Sequence, residues 1–139
     1  MSDPTLGHDL PTDAELRSLY DAVGWTTYTD DLDRLARGLR ASLRVVTARV
    51  DGALAGLARV VGDGETIVYL QDVLVDPAHQ GRGTGRLLVD AAFAPYVAVR
   101  QHVLLTDDEP GQRAFYEALG LSEIRDLGEG RLRAFVRFS

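Results

Sequence analysis

The chain has 139 residues, a formal net charge of −6, no cysteine and no lysine, so all 15 basic residues are arginines. Those absences exclude disulfides, thiolate nucleophiles, cysteine-ligated zinc, Schiff-base lysines and the lysine of a Walker-A loop. The acidic balance disfavours phosphate-rich partners, so no nucleic-acid partner is expected, and the length and 45% apolar content fit one domain.

The opening residues, MSDPTLGHDLP, carry no basic start and no apolar run. A secretory leader is therefore not expected. The longest near-apolar stretch, Ala91–Val99, is broken by Pro95 and falls far short of the ~20 residues that span a bilayer. These features predict a cytoplasmic protein with no membrane partner. Thr5 to Leu10 offers room for a short first strand.

Thr12 with Glu15 three residues on has the spacing of a capping box. It predicts a helix whose apolar stripe is Leu16, Leu19, Tyr20 and Val23, stopped by Gly24. Trp25 to Thr29 reads as a loop. Asp30 to Arg40 reads as a second helix, with Leu32, Leu35 and Leu39 on one face and acids at its start. Leu43–Val50 and Ala53–Val61 read as strands joined by the hairpin signal Asp51-Gly52. After Gly62-Asp63-Gly64, a third strand covers Thr66–Val75 and ends in an apolar run suited to a doubly covered strand.

A glycine-rich loop, Asp76 to Gly85, then leads into a helix through Leu87, Leu88, Ala91 and Ala92, limited by Pro95. His102–Thr106 is a strand. Pro110–Leu119 is a helix stopped by Gly120. Leu121–Arg125 and Leu132–Phe138 are two closing strands around Gly128-Glu129-Gly130. The order predicts one α/β domain over 1–139, a mixed and mostly antiparallel sheet of six to seven strands flanked by about four helices.

The informative stretch is Val73-Leu74-Val75-Asp76-Pro77-Ala78-His79-Gln80-Gly81-Arg82-Gly83-Thr84-Gly85-Arg86. Alternate glycines let the backbone turn tightly and approach a ligand. A helix N-terminus adds unpaired N–H groups and partial positive charge, which together make an anion cradle. Arg82 and Arg86 add two guanidinium groups suited to phosphate. A Rossmann fingerprint would need glycine where Arg86 stands, and a P-loop would need lysine. A plain strand-to-helix turn is the competing account.

Gln80-x-x-Gly83-x-Gly85 after Val73-Leu74-Val75-Asp76-Pro77 resembles motif A of the GCN5-related N-acetyltransferase (GNAT) superfamily. Ala114-Phe115-Tyr116-Glu117-Ala118-Leu119-Gly120-Leu121 resembles that family's late motif B. Val23-Gly24-Trp25, Gly62-Asp63-Gly64 and Asp72-Val73 add a likeness to its aralkylamine-type members. The resemblance implies acetyl-CoA as co-substrate and a primary amine as acceptor. With no cysteine to carry an acyl group, direct transfer in a ternary complex is the simplest route, and no histidine spacing argues for a metal.

On that resemblance the pyrophosphate lies on Gly81, Arg82, Gly83, Thr84, Gly85 and Arg86, with Gln80 at the entry. The pantetheine runs along Val73, Leu74 and Val75, with the N–H of Val73 or Leu74 aimed at the thioester carbonyl. Tyr116 matches the general acid, and Gln112 and Phe115 border the cofactor. Asp72 is the candidate base, acting through water, against the alternative that it holds an arginine or a backbone amide. Trp25, Tyr28 and Asp107 are the candidate acceptor contacts. The resemblance expects a small-molecule amine as partner and allows a homodimer. Two competing functions are a non-catalytic acyl-CoA sensor and acetylation of a peptide or protein amine. A third, acetylation of aminoacyl-tRNA, sits badly with the acidic balance.

Overall fold

A computed structural model describes residues 2–129 and 132–139. The chain forms two compact units, Met1–Leu105 and Thr106–Ser139.

The first unit holds a five-stranded sheet in the order β1-β2-β3-β4-β5. Its strands are β1 (Thr5–Gly7), β2 (Arg44–Val50), β3 (Ala53–Gly62), β4 (Ile67–Val75) and β5 (Gln101–Leu104). Neighbours from β1 to β4 are antiparallel, and β4 and β5 are parallel. The β2–β3 hairpin turns on Asp51 and Gly52, both at positive φ, as the Asp-Gly signal requires. In the next turn Asp63 accepts the N–H groups of Glu65, Thr66 and Ile67, so its carboxylate replaces the missing strand partner.

Helices α1 (Asp13–Ala22), α2 (Thr26–Thr29) and α3 (Leu32–Ala41) cover one face. The capping box forms as its spacing predicts: Thr12 accepts from the Glu15 N–H, and Glu15 accepts from the Thr12 N–H. Leu16, Leu19 and Tyr20 of α1 and Leu35, Ala36 and Leu39 of α3 are buried with Val45, Leu57 and Leu74 of the sheet. The segment expected to be a loop after Gly24 contains the single turn of α2.

Helix α4 (Thr84–Phe93) packs on β2, β3 and β4 and returns the chain to β5. It buries Thr84, Leu88, Val89 and Ala92, while Leu87 is exposed. Thr84, Leu88 and Ala92 form one buried row at a spacing of four residues, with Val89 beside it. Gly56 of β3 makes this packing possible. A Cβ there would sit 3.0 Å from both the Leu74 carbonyl oxygen and Leu88 Cδ1.

The second unit contains α5 (Gln112–Ala118) and a short turn at Ile124–Asp126. Neither closing strand forms among the described residues, so the sheet has five strands rather than six or seven. Arg113 donates to Glu117, Glu123 and Asp126. Those bonds draw residues 123–126 back toward α5 and coil them where an extended strand was expected. Residues 132–139 are exposed and irregular, with Phe135 and Phe138 almost fully in solvent. Gly130, part of the expected turn, lies outside the described residues. No helix among the described residues is long and apolar enough to cross a membrane.

Candidate active site

The site begins where β4 loses a neighbour. Strand β5 pairs with β4 only from Ile67 to Leu70. Beyond that point β4 continues to Val75 with β3 on one side alone. The register tells which groups face the open side. Gly56 stands opposite Val75, and the Asp76 N–H donates to the Ala55 carbonyl at 2.8 Å. That makes Gly56 and Val75 a non-hydrogen-bonded pair, so Leu74 turns its N–H and C=O to β3. Val73 and Val75 turn theirs to the open edge. Of the two amides considered from sequence, Val73 therefore faces the edge and Leu74 does not. The side chain of Leu74 is buried in the core.

The edge runs directly into the glycine-rich loop. Gln80 donates its Nε2 to the Val75 carbonyl at 3.0 Å, which folds the loop back on the strand end. Gly81 and Gly83 have φ of 78° and 80°, a region costly for residues with a Cβ. Gly83 is the N-cap of α4, and no side chain caps that end. The first bond within the helix joins the Leu87 N–H to the Gly83 carbonyl. The N–H groups of Thr84, Gly85 and Arg86 are left without helical acceptors. A Cβ built on Gly81 or Gly83 would meet nothing within 4 Å, so open space stands over the loop. Arg82 is exposed, and Arg86 reaches Asp90 only at 3.8 Å between two exposed side chains. The cradle thus combines free amides, a helix N-terminus and two guanidinium groups, a donor set that fits a diphosphate.

Asp72 is buried within a hydrogen-bonded cluster. It is 2% exposed, and both its oxygens are taken. Oδ2 accepts from Arg59 Nε at 2.5 Å and from the Tyr20 hydroxyl at 2.8 Å. Oδ1 accepts from the Tyr28 hydroxyl at 3.0 Å. The carboxylate holds an arginine, which was the alternative the sequence allowed. Burial, reinforced by the Asp72 charge, raises the phenols of Tyr20 and Tyr28 above the ordinary tyrosine value. Both therefore remain protonated donors.

Trp25 and Tyr28 lie together, with ring centroids 6.3 Å apart, and Tyr20 packs edge-on against both. Trp25 keeps part of its indole exposed. Arg59, Tyr20 and Gln71 complete this cluster, and sequence reasoning assigned none of them to it. Gln71 donates its Nε2 to the Tyr28 hydroxyl at 3.0 Å. The polar interruptions at 59 and 71 in otherwise apolar strands were the only available hint.

In the second unit, Tyr116 is half-buried on α5 beside Phe115, with ring centroids 4.9 Å apart at 88°. Burial and then the nearby Asp107 carboxylate raise its phenol, so Tyr116 holds its proton at neutral pH. Asp107 also accepts from the Glu109 N–H. Gln112 is the first residue of α5, after Gly111 at a φ of 93°. Among the described residues no group of three or more His, Asp or Glu is placed to hold a metal ion.

Residues 41–122 match the family described as an acetyltransferase (GNAT) domain. A mycothiol acetyltransferase of Beutenbergia cavernae is 40% identical over 92 residues, covering 65% of this chain and 27% of that protein. The matched stretch is thus about a quarter of that relative's length. A solved GNAT-family acetyltransferase of Streptococcus pneumoniae is 27% identical with a TM-score of 0.85, covering 98% of each chain. A solved acetyltransferase assigned to the same family in Xanthomonas campestris is 28% identical with a TM-score of 0.77, covering 98% of this chain and 95% of that one.

Proposed function

This chain belongs to the GNAT acetyltransferase family, and on that premise we propose that it moves an acetyl group from acetyl-CoA to a primary amine. The observation that carries this reading is the open edge of β4 at Val73 and Val75, continuous with the uncapped glycine cradle. When bound, acetyl-CoA supplies the acetyl group as a thioester. The amides of residues 81–86 and the side chains of Arg82 and Arg86 hold the diphosphate, and Val73 and Val75 pair with the amide arm as an added strand would.

Within that arrangement the Val73 N–H donates to the carbonyl oxygen as negative charge develops on it. Removing a donor of this kind typically costs ~2.7–4 kcal/mol of barrier lowering. Tyr116 is the acid that returns a proton to the departing thiolate. The phenol carries its proton at neutral pH, and because burial makes it a weaker acid than the thiol it serves, the transfer relies on positioning. The amine loses its proton to solvent water, because Asp72 is committed to Arg59 and two tyrosines. With no cysteine in the chain no acyl-cysteine can form, and direct passage between the two substrates is the simplest route.

The test is release of CoA thiol from acetyl-CoA over a panel of arylalkylamines, polyamines, amino acids and peptides. Amine-dependent release supports the reading. Tight acetyl-CoA binding with no release on any amine removes it and leaves a sensor.

A further inference from the structure

We propose that the Gln71 carboxamide and the Tyr28 hydroxyl together receive the nitrogen of the acceptor amine, and that Asp72 serves the reaction only by positioning them. The inference rests on the acetyl-transfer reading above.

The geometry starts from a bulge. Successive side chains on a regular strand point to opposite faces. In β4, however, Asp72 stands opposite Arg59 and Leu70 opposite Val60, so Gln71 is an extra residue without a partner on β3. Such an insertion re-aims its side chain. As a result the consecutive residues Gln71 and Asp72 both reach the same Tyr28 hydroxyl, each at 3.0 Å. The bulge also marks the place where β5 stops pairing with β4.

The donors and acceptors can be counted. The single proton of the Tyr28 hydroxyl goes to Asp72 Oδ1. Tyr28 can therefore only accept from Gln71, which fixes the carboxamide with Nε2 inward and leaves Oε1 facing away. Asp72 is spent internally, with Arg59 matching its charge. What this cluster offers outward is two neutral acceptors: Oε1 of the exposed Gln71 and the remaining lone pair of the Tyr28 oxygen. They lie two residues along β4 from Val73, about 7 Å at strand rise. Neutral acceptors suit a nitrogen that must arrive as an amine or ammonium and leave as an amide. A carboxylate at the same place would hold the ammonium form and oppose loss of its proton.

The experiment uses the full chain with 2-phenylethylamine and spermidine as probes. It reads kcat and the amine KM, with acetyl-CoA Kd measured separately by calorimetry. Gln71→Ala and Tyr28→Phe are expected to raise the amine KM about tenfold, the value of one hydrogen bond to a charged group, with acetyl-CoA Kd unchanged. Asp72→Asn, where it folds, is expected to raise the amine KM while leaving the pH dependence of kcat in place. An unchanged amine KM in Gln71→Ala overturns the proposal. So does loss of the acidic limb of the kcat profile in Asp72→Asn, which would make Asp72 the base.

If the wild type binds acetyl-CoA but acetylates neither probe, transfer to these amines fails, and the contact is read from the Gln71 side-chain amide NMR signal during amine titration. A displaced signal upholds the contact. A signal unmoved at saturating amine overturns it.

Discussion

Arg59 and Asp72 face each other across β3 and β4 at 2.5 Å, with less than a tenth of either side chain exposed. Three further bonds extend the pair. Arg59 Nη1 donates to Ser42 Oγ at 3.3 Å at the end of α3, and Asp72 takes the hydroxyls of Tyr20 and Tyr28. One ion pair thereby ties the sheet to all three covering helices. A buried pair adds little net stability over an apolar replacement, but breaking one partner leaves a stranded charge.

Asp72→Ala is therefore expected to destabilise the fold by about 3–5 kcal/mol. Chemical denaturation of the variant against wild type measures this. Replacing both partners together, Arg59→Met with Asp72→Leu, should recover much of the loss. A loss below about 1 kcal/mol for Asp72→Ala, the range of exposed pairs, would refute a dry environment for the pair.

Gly83→Val tests the cradle. Its φ of 80° penalises any β-branched residue locally, and the open space above it would receive the new side chain. Acetyl-CoA binding should fall below detection in calorimetry while the far-ultraviolet circular dichroism stays native. Unchanged affinity would show that the diphosphate does not lie on this loop.

Tyr116→Phe should lower kcat by about 100-fold, the lower end for a positioned proton donor, with acetyl-CoA Kd little altered. Because the phenol is raised, wild-type kcat should show no alkaline loss at or below the ordinary tyrosine value. An unaltered kcat in the variant removes the acid role.

Gly56→Val probes the fit of α4 on the sheet. The added Cβ would press on a backbone oxygen and on Leu88 Cδ1 at 3.0 Å, and the backbone cannot move without opening the β3–β4 ladder. Overpacking of this kind costs about 1–3 kcal/mol and should appear as a lower Tm.

Arg49 sets an acid limit on stability. It donates to Asp9 at 2.7 Å and to Glu15 at 2.5 Å, joining β2 to α1 and to the segment before it. Hydrogen bonding to Arg49 holds the Glu15 carboxyl down at about 2 and lowers that of Asp9. Both groups protonate more readily in the unfolded chain. Their contribution is complete above the ordinary carboxylate range and is lost as pH falls through about 2 for Glu15. Urea midpoints from pH 6 downward should show a wild-type advantage over Arg49→Met that shrinks in acid and in high salt.

Much of the fold was legible because its signals are local. The Thr12–Glu15 box, the Asp51-Gly52 turn and the glycines at 81 and 83 each act within a few residues. The closing strands were misjudged for the opposite reason. An alternating pattern at Leu132–Phe138 says which faces a strand would have, but a strand exists only when another offers it a ladder. Leu121–Arg125 was drawn into a turn by Arg113, ten and thirteen residues from its partners Glu123 and Asp126.

By itself the sequence determined the cradle. Glycine is written at the positions that need positive φ, and a helix start follows whatever the rest of the chain does. It also determined that no thiol or lysine chemistry is available. Tertiary structure alone decided the partners of Asp72. Its partners Tyr20 and Tyr28 come from 52 and 44 residues away, and the bulge at Gln71 appears only in the register of two strands. Whether a carboxylate is a base or an anchor depends on what occupies its oxygens, and folding, not spacing, brings those groups together.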